Sequence, residues 1–169
     1  MVLKIQKQLE ITTILVTHDK EEALMMAHNI ALMLDGKIIQ YGTPKEIYER
    51  PNCKKAANFF GERNYFKGRV VKNRFYCDLG EIEVKTEKQG DLELMINPEN
   101  IKIHADSIPK SHMGEIISSQ YAGDRIYYTI KYKDKNVKVT DYNNNLLSIG
   151  QKIYFTVDFS KSILIYNSN

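Results

Sequence analysis

The sequence predicts an α+β chain, a short α/β part followed by an all-β part built as a small barrel. Three observations predict it. Residues Ile11–Val16 form an apolar, β-branched run between two stretches of helix-forming residues. From about Tyr65 the hydrophobic period changes to two. The links between the alternating segments carry turn residues: Gly80, Gly90, Pro98, Pro109, Gly123 and Gly150. A length of 169 residues allows one medium domain or two small ones. The change of period places the expected division at 1–62 and 63–169.

In the first part, Val2, Ile5 and Leu9 recur at helical spacing over Met1–Glu10. Ile11-Thr12-Thr13-Ile14-Leu15-Val16 follows, apolar on both faces, the pattern of a buried parallel strand. It stops at Thr17-His18-Asp19. Lys20–His28 is rich in Glu, Ala, Leu and Met, and predicts a helix. Asp19 or Thr17 can cap it, and Glu21 and Glu22 suit its positive N-terminal end. Ile30–Leu34, the dipeptide Asp35-Gly36 and Lys37–Tyr41 then predict a hairpin with a two-residue turn. Thr43-Pro44-Lys45-Glu46 has the residues of a capping box, with proline at the first helical position. Pro51 ends that helix, and Lys54–Phe60 predicts another, stopped at Gly61.

The second part reads as ten short strands: Phe66–Lys72, Arg74–Cys77, Glu81–Lys85, Leu92–Ile96, Ile101–His104, Gly114–Ser119, Ile126–Tyr132, Val137–Thr140, Lys152–Val157 and Ile163–Tyr166. Barrels of the oligonucleotide/oligosaccharide-binding (OB) type are made of about five short strands. Ten strands therefore make two such units or one interwoven pair, and no internal repeat decides between them.

Composition narrows the function classes. Hydrophobic residues are 43% and charged residues 27%, which excludes a wholly disordered, collagenous or coiled-coil chain. No apolar run reaches the ~20 residues of a membrane-spanning helix, and no secretory leader is visible. The net charge is +3, with 8 basic and 7 acidic residues in 1–60 and 16 and 14 in the rest. Neither part is a polycation, and nucleic acid is not an expected partner. Cys53 and Cys77 fit no metal spacing and no disulfide framework, so both read as reduced thiols of a cytoplasmic protein.

His18 is the candidate functional residue. It follows directly on a strand that reads as buried, and ligands of open α/β sheets bind outside the carboxyl ends of strands. Imidazole there can donate a hydrogen bond to a phosphate oxygen. By spacing alone, a structural histidine is the more ordinary reading. His28, His104 and His112 form no ligand cluster. Met25, Met26 and Met33 read as packing residues. The eleven tyrosines are scattered, which favours packing over base stacking. Lys131–Lys135 and Asp141–Asn145 read as solvated loops.

Longer motifs change the weighing. Val16-Thr17-His18-Asp19-Lys20-Glu21-Glu22-Ala23 resembles the switch-histidine motif V-T-H-D-x-x-E-A of ATP-binding-cassette (ABC) transporter ATPases. Ile30-Ala31-Leu32-Met33-Leu34-Asp35-Gly36-Lys37-Ile38 is similar to the hairpin that follows in that family. Tyr41-Gly42-Thr43-Pro44-Lys45-Glu46-Ile47-Tyr48-Glu49-Arg50-Pro51 resembles its x-G-T-P-x-E-I-Y-x-x-P helix, and Ala56-Ala57-Asn58-Phe59-Phe60-Gly61 its V-A-x-F-I-G. Further on, Asn97-Pro98-Glu99-Asn100-Ile101, Gly114-Glu115-Ile116-Ile117 with Tyr121-Ala122-Gly123, and Gly150–Phe155 resemble the transport-associated OB-like (TOBE) domain of the importer branch. Two positions depart from the family pattern: Asn97 stands where arginine is usual, and Glu10 where glycine usually precedes the strand. Gly61-Glu62-Arg63-Asn64 is closer to the polyamine and iron importers than to the sugar type, and spermidine/putrescine is the cargo class it suggests.

The resemblance implies the C-terminal portion of an importer's ATP-binding subunit. A partial nucleotide-binding domain would come first and an OB-like TOBE domain, serving dimerisation and regulation, second. It gives His18 two roles, nucleotide contact and catalysis, as the residue that hydrogen-bonds the γ-phosphate and orders the attacking water. ATP and Mg²⁺ are implied for the intact subunit, with transmembrane permease subunits and a second ATPase subunit as partners at the inner face of the membrane. No G-x-x-x-x-G-K-[ST] phosphate loop, L-S-G-G-Q signature or strand ending in Asp-Glu occurs in these residues. The chain alone is therefore expected to hold no nucleotide and to be inactive as an ATPase. A stand-alone OB-like module for a small anion or sugar is the alternative.

Overall fold

The computed structural model describes residues 11–143, 146–160 and 164–167, the last four by backbone alone. The helix expected over Met1–Glu10 lies outside them. The chain divides into two compact units, Met1–Phe60 and Gly61–Asn169.

The first unit contains α1 (Lys20–Met26), the hairpin β1 (Ile30–Leu34) and β2 (Lys37–Gly42), α2 (Pro44–Glu49) and α3 (Lys54–Phe59). Leu34 faces Lys37 across the turn, and Asp35 and Gly36 both take positive φ, 52° and 73°. This is the two-residue turn that Asp-Gly favours. The capping box also forms. The Thr43 amide donates to Glu46 Oε2 at 2.9 Å, and the Glu46 amide donates to Thr43 Oγ1 at 3.3 Å. The Thr43 amide, and the Thr43 hydroxyl donating to the same carboxylate oxygen at 2.8 Å, favour the ionised form and hold Glu46 below the usual range. Among the described residues of this unit, Ile30, Leu32, Ile47, Ala56 and Ala57 are buried. Gln40 joins β2 to the loop after α2, donating to the Arg50 carbonyl and accepting from the Asn52 amide.

The expected buried strand over Ile11–Val16 is not found. No described strand pairs with these residues, and they lie exposed, Ile14 at 89% and Val16 at 93%. A strand apolar on both faces needs a neighbour at each edge and a cover on each face. Among the described residues the sheet of this unit is the two-stranded β1–β2 hairpin, which does not pair with it. The helix expected to run to His28 ends at Met26, where Ala27 turns extended and the chain enters β1.

The second unit is the expected all-β part. It holds β3 (Asn64–Val71), β4 (Arg74–Cys77), β5 (Gly80–Glu83), β6 (Gly90–Ile96), β7 (Ile101–His104), β8 (His112–Tyr121), β9 (Ile126–Tyr132), β10 (Lys135–Asp141), β11 (Lys152–Val157) and β12 (Leu164–Asn167). The strands form two antiparallel five-stranded sheets, in the orders β12-β6-β3-β4-β5 and β10-β9-β8-β11-β7. Chain order and sheet order interlock. β7 leaves β6 for the second sheet, and β12 leaves β11 to pair with β6 in the first. The alternatives left open by the sequence resolve to the interwoven one. A single core joins both sheets, with Phe66, Phe75 and Leu94 from one meeting Ile116, Ile130 and Phe155 from the other. Its close packing shows at Gly68 and Gly114. A Cβ at Gly68 would overlap the Tyr76 carbonyl and the Phe75 ring, and one at Gly114 would overlap an Ile130 methyl.

Two polar features tie the sheets together. The buried Asn64 side chain, on β3, donates through Nδ2 to the Lys138 carbonyl at 2.8 Å and accepts from the Lys138 amide at 2.7 Å, on β10. At the other place, the Tyr132 hydroxyl on β9 donates to the Asp78 carbonyl in the β4–β5 turn at 2.8 Å. His112 Nδ1 lies 3.3 Å from that hydroxyl. With the hydroxyl proton committed to Asp78, the imidazole Nδ1–H donates to the hydroxyl oxygen. Lys135 pairs with the Asp78 carboxylate at 2.6 Å and holds it below the usual range. The His112 ring also packs against Phe155, and this burial, with Lys133 nearby, pushes the imidazole down from 6.5.

Asn64→Ala leaves the amide and carbonyl of Lys138 without their partner. The expected cost is about 2 kcal/mol, or a Tm lower by roughly 10 °C, read by near-ultraviolet circular dichroism of the β unit. For His112 the sign follows from the lowered value. The unfolded chain takes up a proton as pH falls through 6.5 while the folded state resists it, so stability present above 6.5 is lost on acidification. His112→Gln removes that loss. Urea midpoints of the variant and the parent are expected to run parallel above 6.5 and to separate below it, with the parent falling faster.

Candidate functional site

The site predicted from sequence is the junction Thr17-His18-Asp19. Its shape is set locally. The Thr17 hydroxyl oxygen accepts from the Asp19 amide at 3.0 Å. Asp19 is the N-cap of α1, and its Oδ1 accepts from the Glu21 and Glu22 amides at 2.9 and 3.0 Å. Of the two residues able to cap, Asp19 does so, and Thr17 holds the turn before it. The first intrahelical bond runs from the Ala23 amide to the Asp19 carbonyl at 3.1 Å. Glu21 and Glu22 stand in the first turn, where the helix dipole favours negative charge. Lys20 places its ammonium over the Phe59 ring, 5.1 Å from the centroid, and so fastens α1 to α3.

His18 sits between these two clamps. Its side chain is exposed, and among the described residues no hydrogen bond or ion pair holds the ring. Both nitrogens are open to a ligand from outside the chain. The geometry supplies one hydrogen-bonding group on a backbone fixed at both sides, which can orient or sense an anion but does not enclose one.

The remaining candidates stay apart from it. His28 is exposed beyond α1. His104 Nε2 lies 2.9 Å from the Thr156 hydroxyl across the β7–β11 pair, and His112 belongs to the cluster between the sheets. Met25 and Met33 are exposed, against the expectation that they pack inside. Met25 lies on a helix with no buried residue, and Met33 on the outer face of the hairpin. Cys53 and Cys77 are free thiols. Burial pushes Cys77 above the usual thiol range, the opposite of an activated nucleophile. Asn97 is buried, its carbonyl accepting from the Asn100 amide at the start of a 3₁₀ turn. Being neutral, it makes none of the ion pairs that arginine would make there. Among the described residues no group of three or more His, Cys, Asp or Glu side chains is placed to hold a metal ion.

No family model matches the chain. Curated relatives do. A spermidine/putrescine import ATP-binding protein of Borreliella afzelii is 37% identical over 155 residues, 89% of this chain and 44% of the relative. Those of Haemophilus ducreyi, at 34% identity, and Mesomycoplasma hyopneumoniae, at 33%, match 90% and 92% of this chain and 47% and 35% of their own lengths. The match falls on the C-terminal part of these proteins. The chain thus spans less than half the length of the relatives it matches. Among solved structures, a cytoplasmic molybdate-binding protein, ModG, aligns with 62% of this chain and 96% of its own at a TM-score of 0.45 and 9% identity.

Proposed function

The chain belongs to the family of spermidine/putrescine import ATP-binding proteins, about nine-tenths of it matching their C-terminal part, and we propose that it works as the C-terminal part of the ATP-hydrolysing subunit of a polyamine importer. In this reading the first unit belongs to the nucleotide-binding domain. The β unit is an OB-like domain that serves regulation or contact between two ATPase subunits. The subunit works at the inner face of the cell membrane with transmembrane permease partners. No described helix is long and apolar enough to cross a membrane.

The observation that carries the proposal is the state of His18. Its ring is exposed, two residues beyond an unpaired apolar run, on a backbone clamped by Thr17 and Asp19. The imidazole donates a hydrogen bond to a γ-phosphate oxygen and helps to hold the attacking water in line. Phosphoryl transfer depends mostly on such positioning and charge stabilisation. The described residues do not fit a Mg²⁺ site. The Asp19 carboxylate is engaged in capping, and no second carboxylate converges with it. The metal and the phosphates are held by other parts of the subunit, and this chain adds a contact to the reacting phosphoryl group.

His18→Ala, in the complete ATP-binding subunit that includes this chain, is expected to lower kcat for ATP hydrolysis about 100-fold, the cost of losing one aligned donor. The dissociation constant for ATP should change far less. Steady-state hydrolysis near the parent rate would overturn the assignment. This chain by itself should give no heat of tight ATP binding in titration calorimetry.

A further inference from the structure

Glu62-Arg63-Asn64 stands where the chain enters the β unit, and two of its three side chains have a plain task. Asn64 bonds the Lys138 backbone through both ends of its amide, at 2.8 and 2.7 Å, and Glu62 pairs with the Lys138 ammonium at 3.1 Å. Both reach β10. Arg63, between them, belongs to the opposite face, since successive residues of an extended chain alternate. Its facing position follows from the ladder. β3 and β6 pair Tyr65 with Met95 and Asn64 with Ile96. One step further along the same register, Arg63 comes opposite Asn97. Facing residues of an antiparallel pair share a face, with Cβ atoms about 5 Å apart.

Asn97 has an unmet need. It is 1% exposed. Asparagine ahead of a helical turn ordinarily caps it with the side chain. Here the side chain makes no cap, and the bond to the Asn100 amide comes from the main-chain carbonyl. The side-chain oxygen Oδ1 is buried with no hydrogen bond among the described residues. An amide oxygen removed from water requires a donor. Arg63 carries donors and no acceptor. Its Nε and Nη2 are buried as well, while Nη1 lies 3.4 Å from the Glu62 carbonyl. Asn97 also stands where arginine is usual in the family. We propose that Arg63 takes over from that arginine, its guanidinium serving the Asn97 side chain from the opposing strand. The charge is kept at this place and is delivered from β3 instead of from the end of β6. It holds the Asn97–Asn100 turn to the start of β3. Glu62, Arg63 and Asn64 then form one clamp, with two arms on β10 and one on the end of β6. Arg63 is thus a positioning residue of the β unit, and its role does not rest on the ATPase assignment.

The test is a cycle of variants of this chain, each unfolded by heat and followed by near-ultraviolet circular dichroism. Arg63→Met keeps the apolar stem and removes the charge and the donors. Its Tm is expected to fall by roughly 5–10 °C. Asn97→Asp puts a carboxylate of nearly the same shape in place of the amide. Facing a guanidinium, that carboxylate becomes half of an ion pair, and Tm should stay within about 3 °C of the parent. Combined with Arg63→Met, the same substitution leaves a buried charge without a counter-ion. Tm should then drop by roughly 15 °C, or the chain should fail to fold. The exchange variant, Arg63→Met with Asn97→Arg, returns the guanidinium to the β6 side and should recover most of what Arg63→Met loses. A side chain that only filled space would give additive losses and no recovery on exchange. Arg63→Met without effect, Asn97→Asp as damaging beside Arg63 as in its absence, or an exchange variant no more stable than Arg63→Met would each overturn the proposal.

Discussion

A β-strand that is apolar on both faces cannot be satisfied by its own residues. Its amides and carbonyls need neighbours at two edges, and its side chains need cover above and below. Ile11–Val16 has that composition and none of those neighbours among the described residues. The state of His18 depends on this. Two residues beyond an unpaired run, the ring stands in solvent. Beyond a paired one, it would stand at the end of a sheet.

The β unit meets the same requirement from within. Every described strand has a partner, and exchange of β7 and β12 between the sheets means that neither sheet closes without the other. Burial of Phe66, Phe75, Ile116 and Phe155 in one core couples them energetically, at roughly 1.5–3 kcal/mol for each large apolar side chain removed from water. Asn64 and Tyr132 add direction to that non-directional attraction by fixing which strand of one sheet lies against which part of the other. The two units thus differ in kind, one built around a continuous core and the other around a few buried side chains with exposed apolar surface beside them.

This difference explains what could be read in the sequence. The Asp35-Gly36 turn, the Thr43–Glu46 capping box and the Asp19 cap were legible because each is decided within four residues. The strands of the β unit were legible because alternation with turn residues survives any register, although their pairing was not. Nothing local says that β12 returns to β6, or that Asn64 meets Lys138 seventy-four residues away. The cluster of Asp78, His112 and Tyr132 was missed for the same reason, since its members come from three separate stretches. Ile11–Val16 failed in the opposite direction. Its composition records an environment that the described residues do not provide. Met25 and Met33, expected inside and found exposed, carry the same record on α1 and the hairpin.

The local clamps around His18 bear on how such a site could work. Asp19 holds the start of α1 through two amides, and Thr17 holds Asp19, so the backbone on either side of the imidazole takes its form with no strand alongside. A residue organised in this way contributes little binding energy alone and becomes effective when the surface beside it is covered, because burial then lowers the local dielectric and strengthens its hydrogen bond to an anion.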